Sequence, residues 1–147
     1  MNNNSDAETT RVMLLYKGDI SALVLFVQHP DGSICAPTAL PKLSAMLDSG
    51  AQLAQTLAQH PALAVRRISN AMGFPDNFLQ AQPGFCEQIE TPGGAITVYL
   101  GRFMTLDPPH ALLHTKNCRL LTLTELRRQP PAELELLRRA YAAVMES

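Results

Sequence analysis

RRISNAMGF, residues 66–74, closes an apolar-periodic segment, and its reading decides how the rest of the chain is understood. Leu63, Val65, Ile68 and Met72 recur at helical spacing, which predicts a helix with one apolar stripe. Pro61 has no backbone donor and suits the first turn of such a helix. Gly73 suits the left-handed residue that stops it, and Pro75 cannot continue it. A helix is therefore expected over 62–73. Upstream, Leu43, Met46, Leu47, Leu53 and Leu57 predict an earlier helical stripe from Lys42 onward, broken near Ser49 and Gly50. Between Ser49 and Pro75 the chain contains no Asp or Glu. The polar groups of this segment are therefore amide, hydroxyl, guanidinium and the His60 imidazole.

Before the helical segment, RVMLLY (11–16) and ISALVLFVQ (20–28) read as strands, with a tight turn at Lys17, Gly18 and Asp19. HPDG (29–32) is a second turn, and SICAP gives a short return strand. After the helix, FCEQIE (85–90) and AITVYLGRF (95–103) flank Thr91-Pro92-Gly93-Gly94, a hairpin signal. DPPHALLHTKN is expected to be loop and CRLLTL (118–123) a strand. Thr124 is placed to cap a short turn. Pro130 and Pro131 open a last helix with the stripe Leu134, Leu137, Tyr141 and Val144 or Met145. Strands, helix, hairpin, strand, helix make an α+β fold, a mixed sheet with helices packed on it.

The chain of 147 residues suits one domain. The expected division is a flexible tail over 1–10 and a single domain over 11–147. The longest apolar run, ALVLFV (22–27), is far short of the about 18 residues of a membrane span. The polar start, MNNNSDAETT, lacks a basic-then-apolar signal pattern, so a cytoplasmic protein is expected. The net charge of -1, with no long basic run, argues against nucleic acid and membrane partners. Cys35, Cys86 and Cys118 lie far apart with no CxxC, which predicts reduced thiols that pack as small hydrophobes.

The stretch and the element order together resemble the Nudix (MutT-like) fold family. That family's box runs Gly, five residues, Glu, seven residues, then Arg-Glu-aliphatic-any-Glu-Glu-any-Gly-aliphatic. Its last part falls on Arg66 to Phe74: Arg66, Ile68 and Gly73 match, and Phe74 stays apolar. Arg67, Asn70 and Ala71 stand where the three acids belong. Counting back, the first Glu falls on Ala58 and the Gly on Gln52, two residues from Gly50. ALVLFVQHPDGSICAP resembles the lead-in hairpin, and CRLLTLTELRRQPPAELELLRRAYAAV the closing strand, turn and helix. The resemblance covers the chain from about residue 11 and implies a mixed β-sheet sandwiched by helices.

In the family, helix carboxylates hold Mg²⁺ against a pyrophosphate. Mg²⁺ needs oxygen ligands with compensating charge, and it stabilises phosphate charge while helping to form hydroxide. A neutral amide at Asn70 cannot replace that cluster, and a guanidinium at Arg67 repels the ion. The box is degenerate. It implies no catalytic residue, no metal ligand and no cofactor here, and a non-catalytic domain that binds a nucleotide-like or phosphorylated small molecule or a protein partner. Arg66, Arg67 and Asn70 are the candidate ligand-binding residues, since guanidinium matches oxyanions. The alternative is a Nudix-type, Mg²⁺-dependent hydrolase of nucleoside diphosphate derivatives with relocated ligands. Its candidate acids are Asp48, Glu87, Glu90 and Asp107. Glu87 and Glu90, an odd number apart on a strand, face opposite ways. The family often forms dimers, and the apolar segment 42–59 is a candidate homodimer contact.

Other constellations read structurally. His110, His114 and Cys118 have zinc-like spacing, yet they follow two prolines and precede a strand. His29 reads as a turn residue and His60 as a helix boundary. There is no GxSxG and no P-loop. Gly93-Gly94 reads as turn chemistry, and Arg127-Arg128 and Arg138-Arg139 as solvated faces.

Overall fold

Strand β1 (Thr10–Lys17) is buried from Arg11 to Tyr16, so both of its faces are covered. Its near-continuous apolar run reflects that double burial. Alternate side chains enter two separate cores: Met13 and Leu15 pack on one side, Val12, Leu14 and Tyr16 on the other. In the computed structural model, which describes residues 9–46 and 60–146, β1 is the centre of a mixed sheet.

The other strands are β2 (Val24–Gln28), β3 (Cys35–Ala36), β4 (Ala45–Met46), β5 (Leu79–Ala81), β6 (Glu87–Thr91), β7 (Gly94–Phe103) and β8 (Arg119–Leu121). The order is β4-β6-β7-β1-β2-β8, with β3 added on β1 and β5 on β7. β1 and β7 run parallel, with Val12 opposite Tyr99, and the other pairs are antiparallel. Among the described residues the helices are α1 (Pro61–Ala71), α2 (His110–His114) and α3 (Pro131–Glu146). α3 covers one face through Leu136, Leu137, Ala140 and Val144. α1 covers the other through Ala64, Val65 and Ile68, beside Leu113 of α2. The expected α+β sandwich of helices on a mixed sheet is the observed architecture.

Several local expectations hold. Gly32, at φ 88, closes the HPDG turn, and its N–H bonds the His29 carbonyl at 2.8 Å. Thr91 pairs with Gly94 across a two-residue loop, and Thr91 Oγ1 donates to the Gly94 carbonyl at 2.7 Å. His60 bounds α1, its Nδ1 accepting from the Ala62 N–H at 3.2 Å. The three cysteines are free, with Cys35 and Cys118 buried.

Others are corrected. The helical pattern from Lys42 does not begin there: Ala45 and Met46 form β4 and pair with Glu90 and Ile89. A sheet edge captured an apolar residue that periodicity alone assigned to a helix. The rest of that stripe, Leu47, Leu53 and Leu57, lies outside the described residues, as do Asp48, Gly50, Gln52 and Ala58. Ile20 is fully exposed in the 18–23 loop, so β2 is shorter than expected at its start. HALLH is helix α2 rather than loop. The turn after β8 is capped by Thr122, not Thr124. Glu125 accepts from the Thr122 N–H at 2.9 Å while Thr122 Oγ1 accepts from the Glu125 N–H at 3.2 Å, a reciprocal capping box. The buried stripe of α3 is rotated from the expected one. Leu134 is exposed and Glu133 buried, because the buried Glu133 carboxylate is matched by Ser33, Ile34 and Gln129. Arg139 is only half exposed and ion-pairs with Glu135 and, across to β6, Glu87.

Candidate functional site

Helix α1 ends as its sequence predicts, and the way it ends shapes the surface beside it. The Gly73 N–H bonds the Asn70 carbonyl at 3.1 Å and the Phe74 N–H bonds the Ser69 carbonyl at 3.0 Å. With Gly73 at φ 71, this is a Schellman closure. It delivers Phe74 into a cluster with Phe78 and Phe103, at ring-centroid distances of 5.1 and 5.8 Å. The Met104 N–H bonds the Phe78 carbonyl at 2.9 Å. The loop after α1 is thus anchored by aromatic packing and backbone pairing. It presents Asp76 and Asn77 outward, Asn77 in the left-handed region at φ 65.

Those two residues face a cavity of about 550 Å³, which lies between α1, the loop and β5. α1 lends it Arg66, Ser69 and Asn70, the loop Asp76 and Asn77, and β5 Gln80. Among the described residues, no side-chain hydrogen bond or ion pair engages any of these six groups. Ser69 is buried and the other five are exposed. Val65, Leu79 and small alanines supply the apolar remainder.

The box positions separate in space. Arg66 and Asn70 line this cavity together. Arg67, also exposed, is absent from its lining and engaged elsewhere. Ala71 turns to a second hollow of about 340 Å³ with His29, Pro37, Lys116 and Cys118. There Cys118 Sγ stands 3.8 Å from His29 Nδ1, and burial lowers the His29 pKa against the opposing pull of Asp31. Lys116 Nζ lies 5.9 Å from the centre of the Phe74 ring, where a cation also suits the carboxyl end of α1. This second hollow therefore offers a cation and a neutral imidazole where a divalent ion would need carboxylates.

The remaining acids are dispersed. Glu87 is paired with Arg139, Glu90 is exposed on the edge strand pair, and Asp107 is exposed in the loop after β7. His110 and His114 line a third hollow with Cys118. Among the described residues, no group of three His, Cys, Asp or Glu side chains is placed to hold a metal ion. Ser69, Asp76, Asn77 and Gln80 were not singled out from the sequence. The Pro75-Asp76-Asn77 turn directly after the helix stop marks a polar loop in the sequence, but only the fold sets that loop and Gln80 beside Ser69.

The sheet order and the two helical layers have a counterpart among solved structures. A Nudix hydrolase from M. smegmatis matches with a TM-score of 0.52 and 17% identity, over 95% of this chain and 88% of that one. The chain has the Nudix fold. An Ap4A hydrolase from C. elegans matches with a TM-score of 0.46 and 16% identity, over 93% of this chain and 98% of that one. No protein-family model and no curated protein sequence matches the chain. No helix among the described residues is long and apolar enough to cross a membrane.

Proposed function

We propose that this Nudix-fold protein is a non-catalytic module that binds a nucleotide-like or otherwise phosphorylated small molecule beside α1. One observation carries the reading. Arg66 and Asn70 share a cavity whose polar side chains have no partner within the described protein. Polar groups gathered in one concavity and left unpaired are available to a ligand at no cost in broken internal bonds. Arg66 supplies the fixed cation and planar fork that suit a phosphate. Arg67, Asn70 and Ala71 supply no carboxylate along the helix, so the metal-hydroxide route that the resemblance implies has no ligand set there.

The test combines two measurements on the full chain. Calorimetric titration with nucleotides and inorganic phosphate is expected to show binding that Arg66→Ala weakens by about tenfold or more. Titration with Mg²⁺ or Mn²⁺ at millimolar concentration is expected to show none. Metal-dependent release of phosphate from nucleoside diphosphate derivatives would overturn the reading in favour of a hydrolase with relocated ligands. Binding of no phosphorylated compound would overturn it in favour of a protein-interaction role.

A further inference from the structure

Resting on the proposal that the cavity beside α1 takes a phosphorylated molecule, we infer that this molecule is a small sugar or polyol monophosphate, held by its phosphate and hydroxyls and not by a base. The walls decide this by what they present. No Phe, Tyr or Trp lines the cavity among the described residues. The rest of the chain, residues 1–8, 47–59 and 147, contains none to add. The nearby rings of Phe74, Phe78 and Phe103 are turned against each other, with Phe78 and Phe103 5.7 Å apart. Stacking on an aromatic face is the general means of holding a base, and this cavity has no such face.

Hydroxyl recognition is what the polar groups suit. A sugar hydroxyl both donates and accepts. Asn70, Asn77 and Gln80 each present a donor and an acceptor, Asp76 accepts from two donors, and Ser69 does either. They come from three separate elements, so they surround a compact ligand instead of lining one edge. Asn77 is fixed by its turn, in which the Phe78 N–H bonds the Pro75 carbonyl at 3.2 Å. Charge narrows the class further. Arg66 is the one cation and Asp76 the one anion among the described lining residues. One phosphate is balanced by Arg66, whereas a second would meet the Asp76 carboxylate with no further cation to offset it.

The test is titration of the full chain with inorganic phosphate, ribose phosphate, adenosine and AMP. Ribose phosphate is expected to bind about tenfold or more tighter than inorganic phosphate, and AMP within about threefold of ribose phosphate. Asp76→Asn is expected to weaken ribose phosphate by about fivefold or more without weakening inorganic phosphate, whereas Arg66→Ala weakens both. Both side chains are exposed, so circular dichroism should show both variants folded. AMP binding more than about tenfold tighter than ribose phosphate would overturn the inference while leaving the phosphate-binding proposal standing. So would an Asp76→Asn variant that binds ribose phosphate as the parent does. Binding of none of the phosphorylated compounds would sink the underlying proposal and this inference with it.

Discussion

A Cβ placed on Gly101 of β7 would stand 3.3 Å from Cγ1 of Val65 on α1, closer than side chains ordinarily pack. The same Cβ would meet Leu14 Cδ2 at 3.1 Å. The missing side chain therefore sets how near α1 lies to the sheet, and with it the depth of the cavity that Arg66 and Asn70 line. Gly101→Val is expected to push α1 outward and cost about 1–3 kcal/mol, as overpacking of a filled core does. Urea denaturation measures this, and an unchanged midpoint would refute the close approach.

Glu133 ties α3 to the loop before β3. Its carboxylate accepts from Ser33 Oγ at 2.6 Å, Gln129 Nε2 at 2.7 Å and the Ile34 N–H at 3.4 Å. Glu133→Ala strands the buried Ser33 hydroxyl and Ile34 N–H, while Gln129 Nε2 keeps the Gly32 carbonyl at 2.8 Å, and a loss of about 1–3 kcal/mol is expected. Glu133→Gln keeps one acceptor and should cost less. Equal midpoints for the two variants would show that the hydrogen bonds contribute little.

The guanidinium of Arg138, followed by that of Arg139, holds the Glu135 carboxyl well below its ordinary value of 4.5, at about 2. A carboxyl depressed in the folded state stabilises the protein above its unfolded value and loses that contribution as pH falls through the folded one. The window is thus pH 4.5 down to about 2. These side chains are partly exposed, with Arg138 at 70%, so solvent keeps the contribution below about 1 kcal/mol. Wild type should exceed Glu135→Gln in stability at neutral pH, and the gap should close towards pH 2 in acid-titrated thermal melts.

Burial raises the pKa of all three thiols, most strongly that of Cys35, which Glu133 reinforces. Only the thiolate reacts readily with aromatic disulfide reagents. At neutral pH the native protein should therefore react slowly, first at the partly exposed Cys86, with Cys35 following only on unfolding. Rapid labelling of Cys35 in the folded protein would contradict the packing around it.

Arg66 and Arg67 are adjacent in sequence but differ in surroundings. Arg66 lines the cavity with no side-chain partner among the described residues, whereas Arg67 lies outside its lining. Loss of ligand binding is expected for Arg66→Ala and a change of less than about threefold for Arg67→Ala, read by calorimetry at fixed salt. Equal losses would indicate diffuse attraction by positive charge in place of a defined phosphate contact.

Local chemistry made much of this molecule legible from its residues. The Gly73 stop, the Pro61 start and His60 boundary of α1, the HPDG and Pro-Gly turns and the strand character of β1 all follow from φ preferences, missing donors and apolar runs, which act within a few residues. So did the gap in acids along α1, since covalent sequence alone decides which charges a helix carries. Tertiary structure decided the rest. The pairing of Ala45 and Met46 with β6 was settled by a partner more than forty residues away, not by helical periodicity. The rotation of α3 that buries Glu133 was settled by donors from Ser33 and Ile34. The grouping of Asp76, Asn77 and Gln80 with Arg66 arises only when a loop and a strand edge fold back over the helix, a proximity that no spacing along the chain encodes.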